Sequence, residues 1–281
     1  MTRNAQFVFA FAMAVTSARA QWLDYRAPGT PRKPDGSADL SAKVPRMPDG
    51  TPDLSGVWRT QLASRTENER IFGSSLSDFT VPGDDPSTFS KYFLNILADF
   101  KPQDSPMLPA AAPIFARNNA NRGILSPAAR CLPQGLPKAD IFSYMPFKIL
   151  QMKNELAFLY EVDDTYRQIY LDGRKLPMDP QPAWVGYSVG RWEGDFLVVD
   201  ASGFNDKTWL DSVGHPHSED LQVHERFHRR DFGHMDLTVT VTDPKFYSKP
   251  ITFQVTEVLL PDTDILETIC TEDEKDQAHI K

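Results

Sequence analysis

The sequence predicts a mainly β protein: an antiparallel up-and-down meander that closes into a lipocalin-like barrel, preceded by a proline-rich N-terminal arm and one or two helices. Two observations carry this expectation. After Pro137 apolar residues recur with period two in successive short runs, and turn-forming pairs such as Asn154-Glu155, Asp163-Asp164 and Asp172-Gly173 separate those runs. Of the 23 prolines, 15 fall between Pro28 and Pro137, so the first half of the chain is built differently from the second. Tight successive hairpins leave exposed edges, and eight or nine such strands remove them by closing into a barrel. A two-sheet sandwich with the same hairpins is the alternative.

In chain order, residues 1–20 place Arg3 before the apolar stretch Phe7 to Val15 and end in Ala18-Arg19-Ala20, the pattern of an export signal cleaved before Gln21. Residues 21–56 read as an extended arm. Within it Pro31-Arg-Lys-Pro-Asp-Gly-Ser-Ala-Asp-Leu-Ser returns 14 residues later as Pro45-Arg-Met-Pro-Asp-Gly-Thr-Pro-Asp-Leu-Ser. Residues 57–135 read as an irregular, partly helical cap. Asp85-Pro86 is a helix start, and Phe89, Phe93, Ile96, Leu97 and Phe100 at helical spacing predict a helix over 86–100. Ser126-Pro127 opens a shorter one. Residues 136–281 read as the barrel, with strands near 147–153, 156–162, 166–172, 186–193, 195–202, 220–230, 234–243, 249–260 and 264–270.

Composition narrows the function classes. No apolar run reaches the roughly 18 residues of a membrane helix, so an integral membrane segment is not expected. The formal charge of −8 speaks against nucleic acid as a partner, and removal of Arg3 and Arg19 with the leader takes it to −10. The expected product is periplasmic or secreted. Only Cys131 and Cys270 occur, and an oxidising compartment favours one disulfide between them over two buried thiols.

Five of the six histidines, His215, His217, His224, His228 and His234, lie within 20 residues. The first two sit in the loop 203–220, long for a hairpin connection and apolar enough at Phe204, Trp209, Leu210 and Val213 to pack as a lid. An imidazole oriented by a carboxylate is a general acid or base, which makes His217 with Glu219 or Asp211 a candidate catalytic group. His224-Glu225-Arg226-Phe227-His228 matches the H-E-x-x-H zinc-hydrolase pattern, with His234 as a third ligand. That pattern needs a helix, whereas Leu221, Val223 and Phe227 alternate with Gln222, His224, Arg226 and His228 as on a strand. Zinc is therefore the alternative to a cofactor-independent site. The same alternation puts Glu225 on the apolar face with Arg229, either paired to a basic group or raised in pKa for acid/base work. Trp184, Tyr187, Trp192, Phe196, Phe204 and Trp209 cluster around residues 186–209, which suits a hydrophobic or aromatic small molecule, with Trp209, Tyr187, Trp192 and Arg229 as ligand-binding candidates.

Pro52-Asp-Leu-Ser-Gly-Val-Trp58, Cys131-Leu-Pro-Gln-Gly135, Gly190-Arg-Trp-Glu-Gly-Asp-Phe-Leu-Val-Val-Asp200, Gly203-Phe-Asn-Asp-Lys-Thr-Trp-Leu-Asp211 and Pro216-His-Ser-Glu219 resemble the motifs of a large family of exported bacterial proteins. The resemblance covers roughly residues 48–275 and implies a shared fold and a shared loop site, with no reaction attached. It matches at His217, Glu219 and Glu225 and does not reserve positions 224 and 228 for histidine. The expected activity is non-redox acid/base chemistry (isomerisation, elimination, cyclisation or hydrolysis). A carrier that binds without chemistry and a zinc hydrolase are the alternatives.

Overall fold

The computed structural model describes residues 25–72 and 89–270, so the leader expected at 1–20 lies outside the described residues. Nine strands close into a barrel in which sequence neighbours are spatial neighbours. They are β1 (Gly56–Thr60), β2 (Phe147–Gln151), β3 (Glu155–Tyr160), β4 (Tyr166–Tyr170), β5 (Tyr187–Glu193), β6 (Phe196–Ser202), β7 (Gln222–Arg229), β8 (His234–Thr242) and β9 (Ile251–Leu259). Strand β9 returns to pair with β1 through Trp58 opposite Leu259. All neighbours are antiparallel except β4 and β5, which run parallel. An odd number of strands cannot alternate direction all the way round a ring, so at least one parallel seam is a geometric requirement. The linker 171–186 supplies it by carrying the chain back from one end of the barrel to the other.

The alternation read from the sequence is the alternation of burial. On β8, Met235, Leu237, Val239 and Val241 are buried while the residues between them face outward. On β7 the buried set is Val223, Glu225, Phe227 and Arg229. Two expectations are corrected here. The run at 264–270 forms no strand, and the ninth strand is β1, drawn from the stretch read as arm and cap, so the barrel is not confined to 136–281. The reason is ring closure: the free edge of β9 pairs with Trp58, Arg59 and Thr60, which leaves Leu266 and Ile269 more than a third exposed.

The strand directions sort the connections onto two ends. The β2–β3, β5–β6 and β7–β8 turns lie at one end, and there the proline-rich segment docks. It is not simply extended. Each copy of the repeat folds into the same tight turn, with Lys33 N donating to Ser37 O (2.9 Å) and Asp39 N to Pro31 O (2.8 Å). The second copy repeats this with Met47 N to Thr51 O (2.9 Å) and Asp53 N to Pro45 O (2.9 Å). The equivalent arginines of the two copies grip different partners, Arg32 on Asp262 and Arg46 on Asp195. Leu40 and Ala42 carbonyls accept from Gly233 and Phe232 at the β7–β8 turn.

The opposite end is covered by the segment between β1 and β2 and by the 203–221 connection. That covering segment contains α1 (Arg65–Phe72), α2 (Lys91–Leu94), α3 (Ala112–Ala120) and α4 (Arg122–Leu125). The helix expected over 86–100 is only α2 within the described residues. Ser90 caps it by accepting from Phe93 N, and Asn95 at φ −148° ends it. Ile96 and Leu97 are buried by packing rather than by helical phase, and Ile96 N donates to Asp211 instead of continuing the helix. After Pro127 a short helical turn, Ala128–Arg130, leads to Cys131. Cys131 is disulfide-bonded to Cys270 across 139 residues, tying the cap to the chain beyond β9. Closing so long a loop contributes about 5 kcal/mol on the chain-entropy model.

Candidate functional site

The 203–221 connection is a packed structure. Phe204, Leu210 and Val213 are buried, and Asp211 organises its far end by accepting from Gly214 N (3.0 Å), His215 N (3.1 Å) and Ile96 N (2.8 Å). The same carboxylate meets His215 Nδ1 at 2.5 Å, and that imidazole stacks on Phe115 of α3. Asp211 is therefore committed to His215 and the loop backbone and does not orient His217. Glu219 is exposed and does not do so either. Ser218 is fixed by Asp243, which accepts from its N (2.6 Å) and its Oγ (2.9 Å).

What orients His217 is a carbonyl. Its Nδ1 lies 3.0 Å from Ser218 O, and because a carbonyl can only accept, Nδ1 carries the proton. Burial lowers the pKa of this imidazole, more than the Ser218 carbonyl and the Asp243 and Asp206 carboxylates raise it. The neutral ring then presents a lone pair at Nε2, 2.6 Å from Thr208 Oγ1, so the threonine hydroxyl donates to the histidine. A hydroxyl on a neutral imidazole whose other nitrogen is held by a third group is the arrangement that activates a nucleophile or moves a proton. Thr208 had no signal of its own in the sequence beyond its place in the 203–211 motif, beside Trp209.

Thr208 and His217 line a cleft of about 490 Å³ between α3, the Pro127–Leu132 segment and the loop, walled by Trp184 and Trp209. Gly135 packs closely against Thr208. At φ +71° it adopts a left-handed conformation, and a Cβ there would lie 2.4 Å from Thr208 Oγ1. We expect Gly135→Ala to cost about 1–3 kcal/mol and to push Thr208 off His217. Thermal melting and loss of any His217-dependent activity check this, and an unchanged melting temperature would contradict it.

Glu225 belongs to a different place, the barrel interior. It faces inward on β7 as the alternation required, but its cation is Arg167 of β4 and not Arg229. Arg167 is 1% exposed and reaches three partners: Glu225 Oε2 (2.5 Å), Asp140 Oδ2 (2.8 Å) and Ser188 Oγ (2.9 Å). Tyr160 donates to Asp140 Oδ1 at 2.5 Å. Burial, and then the Glu225 carboxylate, hold Asp140 well above the usual carboxylate range despite Arg167. Nearby Glu257 accepts from Thr60 Oγ1 at 2.9 Å, and burial raises its pKa well above the ordinary value. Among the described residues Glu225 Oε1 and Glu257 Oε2 have no hydrogen-bond partner.

Because Glu257 keeps its proton in the fold to higher pH than in the unfolded chain, the fold binds more protons across that window and its stability declines as pH rises through it. Glu257→Gln should remove the decline. Its melting temperature should exceed that of the parent by a margin that widens from pH 5 to pH 8; a constant or negative margin would contradict this.

The other sequence candidates are dispersed. Arg229 sits at the arm end of the barrel, where Nη1 donates to Asp53 O at 2.5 Å, Nη2 to Phe232 O, and the guanidinium lies 4.9 Å from the Trp58 ring centre. Trp192 packs against the core near that same end. Tyr187 is exposed and donates to Gln181 O. None of the three lines the cleft. The H-E-x-x-H stretch is strand β7, so His224 and His228 stand on its outer face roughly 13 Å apart. His224 meets Asp200 (2.7 Å), His228 stacks on Phe196, and His234 meets Asp231 (2.8 Å). The three do not converge, and among the described residues no group of three or more His, Cys, Asp or Glu side chains is arranged to hold a metal ion.

The chain matches no protein-family model, no curated protein and no solved structure. The class that fold and site define is a nine-strand, mostly antiparallel barrel with a disulfide-tied cap and an aromatic-walled cleft at the cap end.

Proposed function

We propose that the protein is an exported enzyme of non-redox acid/base chemistry, hydrolysis above all, acting on a hydrophobic, ring-bearing small molecule in the Trp184–Trp209 cleft. One observation carries the reading: the Thr208 hydroxyl lies 2.6 Å from the Nε2 of a buried His217. The Ser218 carbonyl fixes that imidazole's tautomer. In acyl transfer, Thr208 Oγ1 bonds to the acyl carbon as its proton passes to His217 Nε2, and the imidazolium returns the proton to the departing alkoxide. Water then releases the acyl group by the same route, leaving the hydroxyl restored. Export is supported by the N-terminal leader pattern and by the disulfide.

A binding protein without catalysis is the second reading. It is favoured by the burial of Thr208 and His217, each 1% exposed, which leaves little of the pair open to a ligand. The experiment that separates the two uses 2-naphthyl acetate as substrate and 2-naphthamide as a non-reacting ligand. Release of 2-naphthol that depends on His217 and Thr208 supports the enzyme. Saturable binding of the amide, with ester cleavage no faster than in His217→Asn, leaves the carrier.

A further inference from the structure

The rim of the cleft carries charge that the rest of the protein does not explain. Arg117 on α3, Arg130 beside the disulfide and Lys207 on the loop line it, against one carboxylate, Asp206, so the lining is formally +2 in a chain whose net charge is −8. Several exposed arginines elsewhere are ion-paired: Arg46 with Asp195, Arg174 with Asp172, Arg191 with Glu193 and Asp200, Arg230 with Asp236. The three rim cations make no ion pair among the described residues. Arg117 donates to the Asn118 side chain at 3.3 Å and Arg130 to the Ile124 carbonyl at 3.2 Å, both neutral acceptors. Lys207 is exposed, and its ammonium stands 5.9 Å from the centre of the Trp184 ring, beside the aromatic wall.

Three cations that make no ion pair, with Asp206 as the one carboxylate among them, leave the ring-lined cleft with an excess of positive charge that favours an anion, and an acidic protein gains nothing in solubility from grouping them. We propose that the ligand of this cleft is an aromatic molecule bearing an anionic group, of the arenecarboxylate class. Its ring lies between Trp184 and Trp209, and its charge is turned to Lys207, Arg117 and Arg130. This rests on the cleft being the ligand site argued above, but not on any reaction taking place there. A carboxylate is the fitting anion for a planar guanidinium, which engages it through two parallel N–H donors. The disulfide contributes by holding the wall on which Arg130 sits, one residue from Cys131.

The test is calorimetric titration of the mature chain with 2-naphthoate and with 2-naphthamide, which share a shape and differ in charge. The carboxylate should bind at least 10-fold tighter at low salt, with the gap narrowing as salt rises. In the triple variant Arg117→Gln, Arg130→Gln, Lys207→Gln the gap should vanish while the amide binds as before. Lys207→Gln alone should narrow it, which keeps the test usable if the triple variant folds poorly. Equal affinity for the two ligands, a gap that survives the triple variant, or no binding of either ligand overturns the proposal. Failure here is distinguishable from failure of the proposed activity. Equal affinities together with His217-dependent cleavage of 2-naphthyl acetate leave the enzyme standing and remove the anion, and the converse result does the reverse.

Discussion

Arg167→Met is expected to destabilise the protein by about 3–5 kcal/mol, the usual cost of removing one partner from a buried ion pair. In a protein of this size that lowers the melting temperature by on the order of 10 °C. The cost arises because Asp140 and Glu225 share this one guanidinium inside the barrel. Without it they face each other in a medium that cannot solvate them. The loss should grow with pH, since the carboxyls can relieve their repulsion only by keeping protons. Adding Glu225→Gln to Arg167→Met should recover part of the loss, because the remaining Asp140 can stay neutral with Tyr160 as its hydrogen-bond donor. Chemical denaturation of the three proteins at pH 5 and pH 8 checks the ordering. A single variant within 1 kcal/mol of the parent would mean that the interior cluster is solvated and does not depend on its cation.

His217→Asn carries the largest functional effect. Asparagine keeps a donor for the Ser218 carbonyl but offers no basic nitrogen to Thr208, so the fold survives while the proton acceptor is lost. Removing a positioned base lowers kcat by roughly 10²–10⁴-fold, and 2-naphthyl acetate cleavage should fall by that amount, with 2-naphthamide affinity unchanged. The parent should lose activity in acid as the imidazole takes a proton. Because burial lowers the His217 pKa, the acid limb should lie below the ordinary histidine range near 6.5. The same shift has a stability consequence of definite sign. Below about pH 6.5 the unfolded chain binds a proton that the fold binds less readily, so stability falls as pH drops from there toward the depressed value.

The barrel was legible because a sheet with one buried face writes period two into its strands, as on β7 from Val223 to Arg229 and on β8 from Met235 to Val241. That same period places Glu225 inside and His224 and His228 outside. What alternation cannot give is the partner across the ring. Arg167 shares its inward face with Ile169, which was a readable signal. Its pairing with Asp140, 27 residues back, and Glu225, 58 residues on, comes from closure and from the cap dipping into the barrel end. Closure also decides that β1, and not 264–270, completes the ring. The helix expected over 86–100 misled because Phe93, Ile96 and Leu97 obey a helical spacing that tertiary contacts, including Asp211 on Ile96 N, satisfy without a helix. At the site, the loop, His217 and Trp209 could be read from residue type. Thr208 and the Ser218 carbonyl could not, since a hydroxyl and a backbone group become chemistry only when folding aims them at one imidazole.

The reactive pair is tested most directly by a double-mutant cycle of His217→Asn and Thr208→Val, read as kcat/KM for 2-naphthyl acetate. Groups that act as one unit are not additive. If the hydroxyl and the imidazole are that unit, each single variant loses at least about 100-fold and the double variant loses no more than the worse single one. Losses that multiply, or rates that neither substitution changes, would contradict a shared Thr208–His217 site.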